Sequence, residues 1–90
     1  MLTLSEEAAT LVRTLAGDAH LPEQGGLRIV IDPISRSLSM DLAQAPAPAD
    51  TVVFRQGARV FLSPPAARRL RDLTLEAEIS EQRHLFYLDR

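Results

Sequence analysis

Thr51–Arg55 (TVVFR) and Ala58–Leu62 (ARVFL) are two apolar-rich runs separated only by Gln56-Gly57. Glycine readily takes the positive φ that a two-residue hairpin turn requires, so this stretch predicts an antiparallel hairpin. No other segment constrains the fold as strongly, because so short a turn fixes both the direction and the register of its strands.

Two more hairpins are written less sharply. Leu27–Asp32 (LRIVID) alternates Leu27, Ile29 and Ile31 with Arg28, Val30 and Asp32, and it stops at Pro33, which cannot donate to a ladder. After the polar connection Ser35-Arg36-Ser37, Leu38, Met40 and Leu42 alternate with Ser39 and Asp41. Further on, Leu73, Leu75, Ala77 and Ile79 alternate with Thr74, Glu76 and Glu78, Ser80–Arg83 turns the chain, and His84–Leu88 (HLFYL) makes a last strand. Met40, Phe54, Phe61 and Phe86 read as core residues. Ala43–Asp50 (AQAPAPAD) reads as an extended surface connection, too short to separate two domains.

Two helices complete the pattern. Ser5 is placed to cap the first, with Glu6 and Glu7 in the turn where the helix dipole favours carboxylates, and Leu4 precedes it as a staple. Ala8, Leu11, Val12, Leu15 and Ala16 then form one apolar face, and Gly17-Asp18 weakens the end. Ser63 caps a short second helix with Pro64 at its first position. Ala66, Ala67 and Leu70 form its apolar face, with Arg68, Arg69 and Arg71 outward. The order predicts an α+β fold: one small strand-rich domain over residues 1–90, mostly antiparallel or mixed β, with two short helices.

Composition narrows the function classes. The chain has 90 residues, 46% hydrophobic and 24% charged, which is ordinary globular usage. A net charge of −2 argues against nucleic acid and anionic membrane as partners, since both need an electropositive footprint. The start, Met1 to Glu7, has no basic signal-type region, and no apolar run approaches the ~20 residues of a membrane span, so a cytoplasmic protein is expected. All ten basic residues are Arg, a bias attributed to genome composition. Cysteine is absent, which removes disulfides, thiolate nucleophiles and Cys-ligated metal or iron–sulfur sites from these residues.

The remaining constellations are weak. His20 and His84 are far apart, and neither has a ligand-spaced histidine beside it. Ser35, His84 and Asp89 make a Ser-His-Asp set on paper only, without a Gly-x-Ser-x-Gly elbow. Gly25-Gly26 opens onto a strand, so it is no phosphate cradle and is expected to set a tight turn. Arg68, Arg69 and Arg71 form a solvated basic helix face that could meet an acidic partner or phosphates, and Glu76, Glu78 and Glu81 form an acidic strand face. No catalytic, cofactor-binding or metal-ligating residue is assigned, and no cofactor is expected.

Taken in order, LTLSEEAATLVRTL (2–15), GLRIVID (26–32), LSMDLAQAPAPADTVVF (38–54), RQGARVFLSPPAARRL (55–70), DLTLEAEI (72–79) and HLFYLD (84–89) resemble the HesB/IscA family of A-type iron–sulfur carriers. The resemblance is collinear over nearly the whole chain and rests on no single motif. It implies a carrier that holds iron or a cluster through three cysteines, one in the loop after the Leu-Arg strand and a Cys-x-Cys pair in a C-terminal tail. Here the loop reads DPISRS, with Ser35 about where the first cysteine would stand and the glycines gone, and the sequence ends at Arg90 ahead of that tail. A serine hydroxyl is a hard, high-pKa donor and no substitute for a thiolate. The resemblance therefore implies a degenerate member without its cofactor. Three readings follow in order: a non-catalytic protein-binding relative of the carriers, whose partner is an iron–sulfur assembly factor or client; the scaffold reused as an unrelated interaction module; and an enzyme or small-molecule binder with a new site. Family members often self-associate, so a homodimer is one expected state.

Overall fold

A computed structural model describes all of residues 1–90. The elements in chain order are β1 (Thr3–Leu4), α1 (Glu6–Asp18), β2 (Gly26–Ile31), β3 (Leu38–Ala43), β4 (Thr51–Arg55), β5 (Ala58–Leu62), α2 (Pro64–Arg69), β6 (Thr74–Ile79) and β7 (His84–Asp89). The three hairpins form as expected: β2 with β3, β4 with β5, and β6 with β7, all antiparallel. At the sharpest turn, Gln56 and Gly57 both take positive φ, 49° and 83°, the geometry that matches the twist of the paired strands.

Two parallel pairings assemble the hairpins. Strand β2 pairs with β5, which joins two hairpins into a four-stranded sheet ordered β3-β2-β5-β4. Strand β1 pairs with β6, giving a three-stranded sheet ordered β1-β6-β7. Helix α1 packs across β6, β5 and β2, and α2 leans on β2 and β5, so one buried cluster is shared by both sheets and both helices. Phe61, Ile29, Val60 and Leu75 are fully enclosed.

The helix ends follow local chemistry. The Ser5 hydroxyl accepts from the Ala8 amide and the Ser63 hydroxyl from the Ala66 amide, one orphan donor satisfied at each N-terminus. Helix α1 ends at Asp18, within the Gly17-Asp18 pair expected to weaken it, and the chain turns at His20, which takes φ 54°. The amides of His20 and Leu21 donate to the carbonyls of Gly17 and Ala16, a Schellman closure with histidine where glycine is usual.

Three expectations change. Phe54 is not core: it is 58% exposed on edge strand β4, with the Arg59 guanidinium 4.9 Å from its ring centroid. Gly25 does close a turn, its amide donating to Pro22, but Gly26 has another reason to be glycine. A Cβ there would lie 2.1 Å from the Arg59 carbonyl oxygen, so the close approach of β5 excludes any side chain. Finally, the arginines do structural work that composition did not suggest. Arg13, Arg55, Arg59 and Arg69 donate to the carbonyls of Gln56, Leu4, Glu23 and Arg36, each tying two segments distant in sequence. Arg28 forms a two-pronged pair with Asp50 at 2.9 and 3.0 Å.

No helix is long and apolar enough to cross a membrane.

Candidate functional site

Strand β2 ends at Ile31, and the loop to β3 is organised by the next residue. Asp32 accepts from the amides of Ile34 (2.8 Å) and Ser35 (3.0 Å) through one carboxylate oxygen, while its carbonyl accepts from Arg36. Those amides of Ser35 and Ile34 hold the Asp32 carboxyl below its usual range. The Ser35 hydroxyl lies 2.7 Å from that of Ser37, so it is engaged within the loop. Pro33 blocks strand continuation, and Ile34 stands at the tip, 92% exposed.

Helix α2 sits beside this loop. Arg69 reaches back to the Arg36 carbonyl and pins the loop to the helix. Between them opens a cavity of 470 Å³. Ile31, Pro33 and Pro65 give it an apolar lining, and Arg36, Arg68, Arg69 and Asp32 give it charge. Arg36 holds φ 64°, a left-handed backbone that costs a non-glycine residue about 1–2 kcal/mol.

The other sequence candidates stay apart. His84 and Asp89 are five positions apart on β7, about 17 Å along an extended strand, so Ser35 cannot meet both. His20 caps α1. Glu76 and Glu78 lie on the β6 face away from Leu75 and Ala77, and Glu78 approaches Arg83 at 4.0 Å. No three His, Asp or Glu side chains converge into a group that could hold a metal ion. What the sequence reading missed is the convergence of Arg36 with Arg68 and Arg69 across 32 residues. It also passed over Asp32 as the organiser of the loop, although an Asp-Pro step is a turn-initiating signal.

The architecture matches solved structures over nearly its whole length. SufA of Escherichia coli, involved in the biosynthesis of iron–sulfur clusters, superposes with a TM-score of 0.79 at 22% identity, covering 97% of this chain and 82% of that one. The chain has the HesB/IscA-like fold. IscA carrying a [2Fe-2S] cluster agrees with a TM-score of 0.71 at 24% identity, over 98% of this chain and 83% of that one. A protein from Aquifex aeolicus gives 0.69 at 12% identity, over 99% and 90%. No family model and no curated protein matches the sequence.

Within the HesB/IscA-like fold, the donors present here do not fit an iron–sulfur cluster. These residues contain no thiol. The loop where the resemblance expects the first cysteine offers a serine whose hydroxyl is bonded to Ser37. The flanking charged side chains are three guanidiniums, which have no lone pair to give a metal, and Asp32, a hard oxygen donor already bonded to the Ile34 and Ser35 amides.

Proposed function

We propose that this chain is a non-catalytic protein-binding relative of the A-type iron–sulfur carriers that does not itself ligate a cluster. One observation carries the reading. The HesB/IscA-like fold extends over 97% of the chain, yet the β2–β3 loop has neither a thiol nor a free hydroxyl at Ser35 and presents the isoleucine of its tip to solvent. A scaffold kept without its ligands is retained for its surface. An exposed Ile34 on a self-bonded loop is an anchor that binds without a large ordering cost.

The test is capture of N-terminally tagged protein from its own cells, with identification of what accompanies it. Cysteine desulfurase, scaffold or carrier proteins, or iron–sulfur clients, absent from a tag-only control, support the reading; unrelated proteins alone overturn its link to cluster assembly. Ile34→Asp should weaken that capture about tenfold or more while leaving the fold intact, since the side chain touches little in the free protein. Anaerobic reconstitution with iron and sulfide should yield no stoichiometric cluster. Visible charge-transfer bands with matching iron content overturn the non-ligating claim.

A further inference from the structure

We infer that the cavity between the β2–β3 loop and α2 is a docking site for an acidic segment of a partner protein, its carboxylates held by Arg36 and Arg68 with Arg69 behind them. The inference deepens the protein-binding reading and rests on it.

Four arginines have no side-chain partner: Arg36 and Arg68 in this cavity, and Arg71 and Arg90 in a 370 Å³ cavity with Asp72, so it is the backbone of Arg36 that distinguishes this place. Arg13, Arg28, Arg55, Arg59, Arg69 and Arg83 each have a hydrogen-bond or ion-pair partner. The 340 Å³ cavity beside Phe54 also has two arginines, but Arg13 and Arg59 already donate to backbone carbonyls. In the cavity at α2, Arg36 and Arg68 have no partner, and Arg69 uses one nitrogen to hold the loop. Three guanidiniums against the single carboxylate of Asp32 leave two net positive charges here, in a chain whose net charge is −2. Asp32 also turns one oxygen toward its own loop amides. Unpaired guanidiniums present planar forks that match carboxylates two bonds at a time.

Arg36 adds an independent argument. It occupies a left-handed backbone position, φ 64°, that glycine takes without strain, and its side chain ties nothing in this fold. A residue kept where its backbone is disfavoured points to a use for the side chain. The shape decides the class of ligand. A small-molecule pocket buries most of its ligand between apolar and aromatic walls. This cavity has no aromatic lining, lies open beside the protruding Ile34, and so suits a chain laid across it.

The test uses purified full chain at low ionic strength with a fluorescent hexaglutamate peptide, its hexaglutamine counterpart, and inorganic pyrophosphate. The hexaglutamate peptide should bind with steep salt sensitivity, and hexaglutamine should not. Arg36→Gly should raise the unfolding midpoint by relieving the backbone while weakening the peptide about tenfold. Arg68→Gln should weaken it comparably, and Arg83→Gln, on the distant β6–β7 turn, should leave it unchanged. Equal loss with Arg83→Gln means diffuse charge attraction and overturns the site. Pyrophosphate binding that needs Arg36 and Arg68 without hexaglutamate binding makes it a small-oxyanion site and overturns the acidic segment. Should the peptide fail while assembly proteins are still captured from cells, the docking site falls and the protein-binding reading stands; the reverse result separates them the other way.

Discussion

The connections on either side of β3 differ in where each keeps its aspartate. In the connection to β4, the Asp50 side chain is enclosed: it is 1% exposed, it receives two bonds from Arg28 on β2, and it accepts the Ala47 amide at 2.9 Å. In the connection from β2, Asp32 is exposed and accepts only amides of its own loop. Hydrogen bonds hold both carboxyls below their ordinary range, those from Arg28 working against desolvation at Asp50 and those from Ser35 and Ile34 acting at Asp32. One aspartate fastens a Pro/Ala-rich stretch to the sheet. The other shapes a loop and leaves its outer surface free. The difference separates a part that stabilises the fold from a part that can meet a partner.

Removing the enclosed anchor should have the largest effect. Asp50→Ala deletes the charge-assisted bonds of Arg28 and strands the Ala47 amide, and should cost about 2–3 kcal/mol in denaturant unfolding. Arg28→Lys keeps the charge but not the fork, and should cost about 1 kcal/mol. Equal losses from the two would show that the fork and not the charge holds the connection, whereas no loss from Arg28→Lys would show that charge alone suffices. Acid separates the aspartates next. Both folded-state pKa values are lowered, so their stabilisation is complete above the unfolded carboxylate value, about 4. It is lost as pH falls through the lowered values. Asp50→Asn should flatten the fall of unfolding free energy in that window, and Asp32→Asn should flatten it in the same sense but by less, because its carboxylate is exposed to solvent. The smallest effect belongs to Asp32→Asn at neutral pH: faster hydrogen exchange at the Ile34 and Ser35 amides with only a slight drop in the unfolding midpoint. A global loss from Asp32→Asn would erase the contrast between the two connections.

The legible parts of this fold were local. Alternation at Leu38 and Met40, the Gln56-Gly57 turn and the caps at Ser5 and Ser63 act within a few residues and formed as read, although Leu42 at the end of the same alternation is exposed. The collinear resemblance to the HesB/IscA pattern supplied the architecture those local signals could not. What escaped was contact at a distance. Nothing near Arg28 announces Asp50, 22 residues away, or the parallel partner β5. Phe54 alternates like a core residue, but edge strand β4 puts its face toward Arg59 and solvent. The candidate site shares that limit. Arg68 and Arg69 were visible as a basic helix face, but only the folded β2–β3 loop brings Arg36 to them.

The arginine ties have a consequence for how the chain can be cut. With no lysine, trypsin must work at arginine alone, and it needs the side chain withdrawn from its own partner and seated in the protease. Arg28, Arg55 and Arg59 lie in paired strands and are engaged with Asp50, Leu4 and Glu23, so they yield only when those segments open. Arg36 sits on an exposed loop with an idle side chain. A time course of tryptic fragments from the native protein therefore reads out, arginine by arginine, the order in which its segments come loose.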